Sequence, residues 1–353
     1  MLLRRTAAVL LVASLLVLGA PAGGPSPAGA VTLTGSQNYV AIGDSITAGA
    51  APYIANDWDM VQWASGIFWG TGNWNHLCLR AQSNPWTQRV HARLGSGTRR
   101  VAACGGAKTS DITSPQQVNF AGGWQTINQP QISYIDANTR AVSITLGGND
   151  AGILDLIQSC VLGACDQGTD DGGPSTEFRR WNAITTVNPN TGEASVQTRL
   201  TNAFNAIAGA LPAGAKVVVL LYPAFVVDPF LRPDAANACD TTGTDINITA
   251  AEATYIGEKA RALNTAISTA ASGRTGWQVR DLYAASQGAA GISPRHDACT
   301  ALADRWVAFP GPTIPFQGQT AAVAGGGQVA PLHLNDNGHV VADQAVGPAL
   351  AGA

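Results

Sequence analysis

Ser45 is the first residue whose type and setting suggest covalent chemistry. It stands in Gly43-Asp44-Ser45-Ile46-Thr47-Ala48-Gly49, just after a short apolar run. A serine hydroxyl is a poor nucleophile near neutral pH. It needs a base within hydrogen-bond reach, and an acyl substrate needs N–H donors for the oxyanion that forms. The small residues Gly43, Ala48 and Gly49 allow a tight strand-to-helix turn that presents the hydroxyl and the serine's own N–H together. Taken alone, the same three residues equally describe an ordinary turn with Ser45 as a helix N-cap. Two other segments add what acyl chemistry requires. Cys104-Gly105-Gly106-Ala107 can bring a bare backbone N–H close to a ligand at Gly106, and Gly147-Gly148-Asn149-Asp150 offers the Asn149 amide. Donors from Ser45, Gly106 and Asn149 converging on one point would make an oxyanion hole.

Positioning such groups falls to the elements that precede them. Tyr39–Ile42, Arg100–Ala103, Ala141–Leu146, Lys216–Leu221 and Trp277–Leu282 are apolar, rich in β-branched residues, and read as buried strands. Trp86–Leu94, Val196–Ala210 and Ala250–Ala271 read as helices between them. Strands alternating with helices imply a parallel sheet covered on both faces, and ligands then bind beyond the carboxyl ends of the strands. The three candidate segments follow the first three strands. Asp44 is expected to hold the turn after the first strand, and Asp150 to cap the helix after Asn149. Two long insertions interrupt the pattern. One, near residues 50–84, carries Trp58, Trp63, Trp69 and Trp74; the other, near 166–192, is rich in Gly, Asp, Thr and Asn. Loops of that length within a compact domain are usually functional or disordered.

The chain's beginning reads as a secretory signal peptide. Arg4 and Arg5 precede an apolar run from Ala7 to Leu18, and small residues at Ala28 and Ala30 favour cleavage before Val31. The run is short of the roughly 20 apolar residues that a spanning helix needs. Residues 31–353 are then expected to form one domain, large but feasible for an α/β fold with insertions. Formal net charge is −3 and charged residues make up 12%, which argues against a nucleic-acid partner or an anionic membrane surface. All six cysteines, Cys78, Cys104, Cys160, Cys165, Cys239 and Cys299, follow the leader. In an exported chain that even count implies disulfides. Fifteen pairings are possible for six cysteines; the simplest is sequential. No metal-ligand spacing is evident, and neither a metal nor a cofactor is expected.

Gly43-Asp44-Ser45, Gly106, Gly148-Asn149-Asp150 and a late histidine resemble the four blocks of the SGNH hydrolases, also called GDSL esterases and lipases. The resemblance runs over nearly the whole chain after the leader. It extends to the secreted actinobacterial lipase and esterase branch, through the Cys-Gly-Gly-Ala segment, the six cysteines and Gly-Gly-Asn-Asp. It implies a flavodoxin-like three-layer α/β sandwich with a five-stranded parallel sheet. It implies Ser45 as nucleophile and oxyanion donor, with Gly106 and Asn149 as further donors, and disulfides Cys78–Cys104, Cys160–Cys165 and Cys239–Cys299.

The base is sought among His76, His91, His296, His333 and His339. The family places it near the C-terminus, before a proline, a polar residue and a downstream glycine, which selects His333 in His333-Leu334-Asn335-Asp336-Asn337-Gly338, where Leu334 replaces the proline. His296 is the competitor, and His339 is expected to start or line the last helix. The family's orienting acid usually stands three residues before the histidine, where this chain has Ala330. Some members of the branch use a backbone carbonyl there. The expectation is therefore a Ser45–His333 dyad oriented by the Ala330 carbonyl, with Asp304 and Asp336 as alternative acids. A carbonyl fixes the imidazole tautomer without supplying the charge that would stabilise imidazolium.

These readings imply a secreted, monomeric serine esterase or lipase that acts on lipid or other small-molecule acyl esters without stable membrane insertion. Tryptophans near the nucleophile could wall an acyl site or stack on sugars. A carbohydrate esterase, an acyltransferase and a non-catalytic lipid- or carbohydrate-binding module are the alternatives on the same fold.

Overall fold

A computed structural model describes residues 30–50, 85–120, 123–153, 183–188, 191–235, 248–289, 294–300, 304–307 and 333–352, together with 78, 80, 81, 156, 157, 160 and 165. The leader, the four tryptophans of the first insertion, most of the second insertion, Cys239 and Ala330 lie outside these residues.

Seven strands are described: β1 (Asn38–Gly43), β2 (Thr98–Val101), β3 (Gln116–Phe120), β4 (Gly123–Asn128), β5 (Thr139–Thr145), β6 (Lys216–Leu220) and β7 (Trp277–Arg280). Five form one parallel sheet in the order β2-β1-β5-β6-β7. Every residue of β1 is buried, as expected of a parallel strand covered on both faces. The sheet is the flavodoxin-like arrangement, and its order reverses between β1 and β5. Crevices for ligands open at the carboxyl ends of strands at such a reversal. The turns carrying Ser45 and Asn149 leave those two strands.

Among the described residues seven α-helices are delimited: α1 (Ser45–Ala48), α2 (Trp86–Leu94), α3 (Gly148–Ala151), α4 (Val196–Ala210), α5 (Ala250–Ala271), α6 (Tyr283–Gln287) and α7 (Asp336–Ala351). Neighbouring residues of β7 mark the two faces of the sheet, because successive side chains of a strand point to opposite sides. Trp277 packs against Phe204 of α4, while the Gln278 amide donates to the Ala349 carbonyl of α7. Buried Leu200, Phe204, Leu263 and Ile267 belong to the layer of α4 and α5; Val90, Leu94, Val346 and Leu350 belong to that of α2 and α7. Trp86, fully buried at the start of α2, donates its indole N–H to the Ile46 carbonyl at 2.9 Å and so props up α1.

The expected helices coincide with α2, α4 and α5. Thr249 and Glu252 form a reciprocal capping box at the start of α5. Strands β2 and β7 end two residues earlier than expected, because Ala102, Ala103, Asp281 and Leu282 follow the last paired positions. Unforeseen is the antiparallel hairpin β3–β4, whose Gln116 amide donates to the Gly105 carbonyl at 2.8 Å. Cys78–Cys104 and Cys160–Cys165 are disulfides. Cys299 is disulfide-bonded too, and its expected partner Cys239 lies outside the described residues. No helix among the described residues is long and apolar enough to cross a membrane.

Candidate active site

Gly43 ends β1 at a backbone φ of +133°, and a Cβ there would lie 2.0 Å from the Thr145 carbonyl oxygen. Only glycine lets β1 run this close to β5 as it turns. Gln131 fixes the turn from outside: its side chain accepts from Gly43 N–H at 2.7 Å and donates to the Gly43 carbonyl at 2.9 Å. Asp44 is the N-cap of α1 and accepts from Ile46 N–H at 3.0 Å. The expected turn-holding role is thus visible in this contact. Ser45 is the first helical residue, so its N–H has no partner inside the helix.

His333 and Ser45 are 288 residues apart in the chain, yet Nε2 of His333 lies 2.7 Å from Oγ of Ser45 in a buried contact. His333 precedes α7, whose N-cap Asn335 accepts from Gly338 N–H at 3.0 Å and donates to the Arg305 carbonyl at 2.7 Å. A bridge between Val307 and Leu334 adds to this anchoring. Ser45, Asn149 and His333 line one cleft with Asp44, Ile46, Gly148, Ile153, Tyr222 and Phe225.

Asn149 donates its Nδ2 to the Ala107 carbonyl at 3.0 Å. That bond uses one amide hydrogen and orients the other. Gly106 is adjacent to Ala107, exposed, at a φ of +71°; it is not among the residues that line the cleft. Asp150 does not cap α3, whose N-cap Gly147 makes no side-chain bond. Its buried carboxylate instead crosses to the Gly106 segment, accepting from Thr109 N–H at 2.9 Å and Thr109 Oγ1 at 2.6 Å, with Arg199 at 3.5 Å. Burial pushes the Asp150 carboxyl above its ordinary range, while Thr109 and Arg199 pull it back.

The remaining sequence candidates lie elsewhere. His296 donates Nδ1–H to the Asp304 carbonyl at 2.6 Å and stacks on Trp306 with ring centres 4.2 Å apart. His91 is bonded through Nε2 to the Gly97 carbonyl at 2.7 Å. His339 is buried inside α7. Asp304 and Asp336 are exposed, and neither lines the cleft. The Ala330 carbonyl and His76 fall outside the described residues. No group of three or more His, Cys, Asp or Glu side chains suited to a metal ion occurs among the described residues.

Tyr222, two residues beyond β6, was not singled out from the sequence. The rule that drew attention to the first three strand ends applies equally to the fourth. Its hydroxyl donates to Asp44 Oδ2 and accepts from Gly148 N–H at 2.8 Å. Burial pushes the Asp44 carboxyl up to about 7, against the opposing pull of Tyr222 and Ile46 N–H. The Tyr222 phenol is held well above its ordinary value by burial and by the neighbouring Asp44.

Residues 41–341 match the GDSL-like lipase/acylhydrolase family. The chain belongs to that family. It is a carboxylic ester hydrolase of the lipase and esterase type. Among curated relatives, Lipase 2 of Streptomyces coelicolor is 28% identical over 275 residues, which are 78% of this chain and 77% of that protein. A lipase of Streptomyces rimosus is 30% identical over 220 residues, 62% of each. The crystal structure of an extracellular lipase from Streptomyces rimosus superposes with a TM-score of 0.55 at 20% identity, covering 90% of this chain and all of that one. A phospholipase A1 from Streptomyces albidoflavus superposes with a TM-score of 0.53 at 22% identity, covering 90% and 99%. These two likenesses establish the shared fold.

Proposed function

We propose that the chain is an exported, monomeric esterase or lipase that works through an acyl-enzyme on Ser45, with His333 as general base. The observation that carries this reading is the 2.7 Å contact between His333 Nε2 and Ser45 Oγ, within the range for direct proton transfer. Nε2 takes the hydroxyl proton as Oγ attacks the ester carbonyl. The resulting oxyanion is held by N–H groups of Ser45 and Gly106 and by the Asn149 amide. The C–O bond to the alcohol then breaks, and the imidazolium returns its proton to the leaving oxygen. Water repeats the sequence on the acyl-enzyme, releasing the acid and restoring Ser45. The Ala330 carbonyl is assigned to orient the His333 ring.

Ile46, Ile153 and Phe225 give the cleft apolar surface, which suits the hydrocarbon part of an acyl chain. Export is supported by the leader pattern, by the disulfides and by the extracellular source of the Streptomyces rimosus relative. The test is hydrolysis of p-nitrophenyl acyl esters. Ser45→Ala and His333→Ala should each lower kcat by several orders of magnitude, since members of such a set act as a unit. Activity surviving in Ser45→Ala would exclude the assignment.

A further inference from the structure

We infer that Tyr222 is a positioning residue for ester hydrolysis, its hydroxyl tying the Ser45 turn to the Asn149 turn and so setting the Asn149 amide against the nucleophile. This rests on the reading of Ser45 as nucleophile and Asn149 as oxyanion donor.

The pairing of β1 with β5 ends at Gly43 and Thr145. Just beyond it, Asp44 N–H donates to the Thr145 carbonyl at 3.0 Å and Thr47 Oγ1 accepts from Thr145 N–H at 3.1 Å, which holds the Ser45 turn to the end of β5. Tyr222 adds, from a third strand end, a tie to the Gly148-Asn149 turn itself. Its backbone is clamped by Asn264 of α5, which accepts from Tyr222 N–H at 3.1 Å and donates to the Tyr222 carbonyl at 3.0 Å. From this base the buried ring extends to the cleft. The hydroxyl donates to Asp44, the residue before Ser45, and accepts from the N–H of Gly148, the residue before Asn149.

The ring and Gly148 are matched in shape. A Cβ on Gly148 would lie 2.9 Å from both Cζ and the hydroxyl oxygen of Tyr222. The glycine before Asn149 is therefore the space in which the phenol sits. Phenylalanine would fill the same volume, so packing alone does not call for the hydroxyl. Its raised pKa keeps the proton available for Asp44. Oxyanion donors act by being placed before the charge develops, and small displacements of them are costly.

The experiment compares the whole enzyme with Tyr222→Phe, Asn149→Ala and the double variant on a p-nitrophenyl ester, with thermal unfolding as the check on folding. Tyr222→Phe should lower kcat by about tenfold to a hundredfold, somewhat less than the loss of one oxyanion donor, with KM within about twofold. Because Tyr222 acts through Asn149, the double variant should be no slower than Asn149→Ala by more than about threefold. A Tyr222→Phe enzyme with full kcat, or losses that multiply in the double variant, would overturn the inference. Should Tyr222→Phe fail to fold, Asp44→Ser gives the same reading. Serine keeps a capping acceptor for Ile46 N–H and is too short to reach the Tyr222 hydroxyl, and the variant should show the same fall and the same non-additivity. Failure of the underlying reading is distinguishable, because the unaltered enzyme would then lack turnover that depends on Ser45.

Discussion

His339 makes a quantitative prediction about acid stability. It lies in α7, 3% exposed, and neither ring nitrogen has a hydrogen-bond partner among the described residues. Burial, with repulsion from Arg89 and His333 added, holds its pKa down from 6.5 to about 3. Below pH 6.5 the unfolded chain takes up a proton that the folded chain refuses. The stability contributed by neutral burial is thus complete above that pH and is lost as pH falls toward 3. Over the span from pH 7 to pH 5 this linkage amounts to about 2 kcal/mol. Asp44, Asp111, Asp150 and Asp297, whose carboxyls burial pushes up, act with the opposite sign. They release a proton more readily when unfolded, so acid favours their folded state. The effect of His339 is therefore measured as a difference. Urea unfolding followed by tryptophan fluorescence, at pH 7 and pH 5, would compare the unaltered chain with His339→Leu. Leucine removes two unpaired ring nitrogens, so the variant should be at least as stable at pH 7 and gain about 2 kcal/mol relative to the unaltered chain at pH 5. Parallel losses in the two proteins would refute the argument.

Three other outcomes are expected. Asp150→Ala removes the acceptor of a buried Thr109 N–H and one of the two carboxylates paired with Arg199, the other being Glu193; unfolding free energy should fall by about 3 kcal/mol, and kcat should fall with it as the Gly106 segment loosens. Replacing Cys78 and Cys104 together by alanine opens a cross-link of sequence separation 26, which should cost about 3–4 kcal/mol in denaturant titration. Phe225→Ala enlarges the apolar side of the cleft, so a chain-length series of p-nitrophenyl esters should shift its kcat/KM maximum toward longer acyl groups; an unchanged maximum would show that the acyl chain lies elsewhere.

The elements were legible because burial on both faces leaves a strong pattern. Tyr39–Ile42 and Lys216–Leu221 read as buried strands because the runs are short, apolar and hold β-branched residues, and α2, α4 and α5 carry clear apolar faces. Ser45, Gly106 and Asn149 were singled out as candidates because small or polar residues at strand ends depart from that pattern. Tyr222 escaped because an aromatic residue after a buried strand looks like more core. Its hydroxyl acquires a role only when β1, β5 and β6 are brought side by side. Asp150 was read as a helix cap and is instead a cross-link to Thr109, which the sequence could not show because Thr109 lies 41 residues away. The hairpin β3–β4 was missed because the alternation in β3 is confined to Val118 and Phe120 and β4 does not continue it, Trp124 and Ile127 standing three apart. Choosing His333 over His296 depended on the family pattern. The sequence around each permits a base, and only the fold turns His296 onto Trp306 and His333 onto Ser45.

The central claim is that Ser45, activated by His333, forms the acyl-enzyme. Its most direct test is mass spectrometry of the enzyme after reaction with a fluorophosphonate ester, with peptide mapping of the adduct. A single adduct on Ser45, formed at least a hundredfold more slowly in His333→Ala, is the predicted result on the scale set by loss of a general base. An adduct on another residue, or equal labelling rates with and without His333, would contradict it.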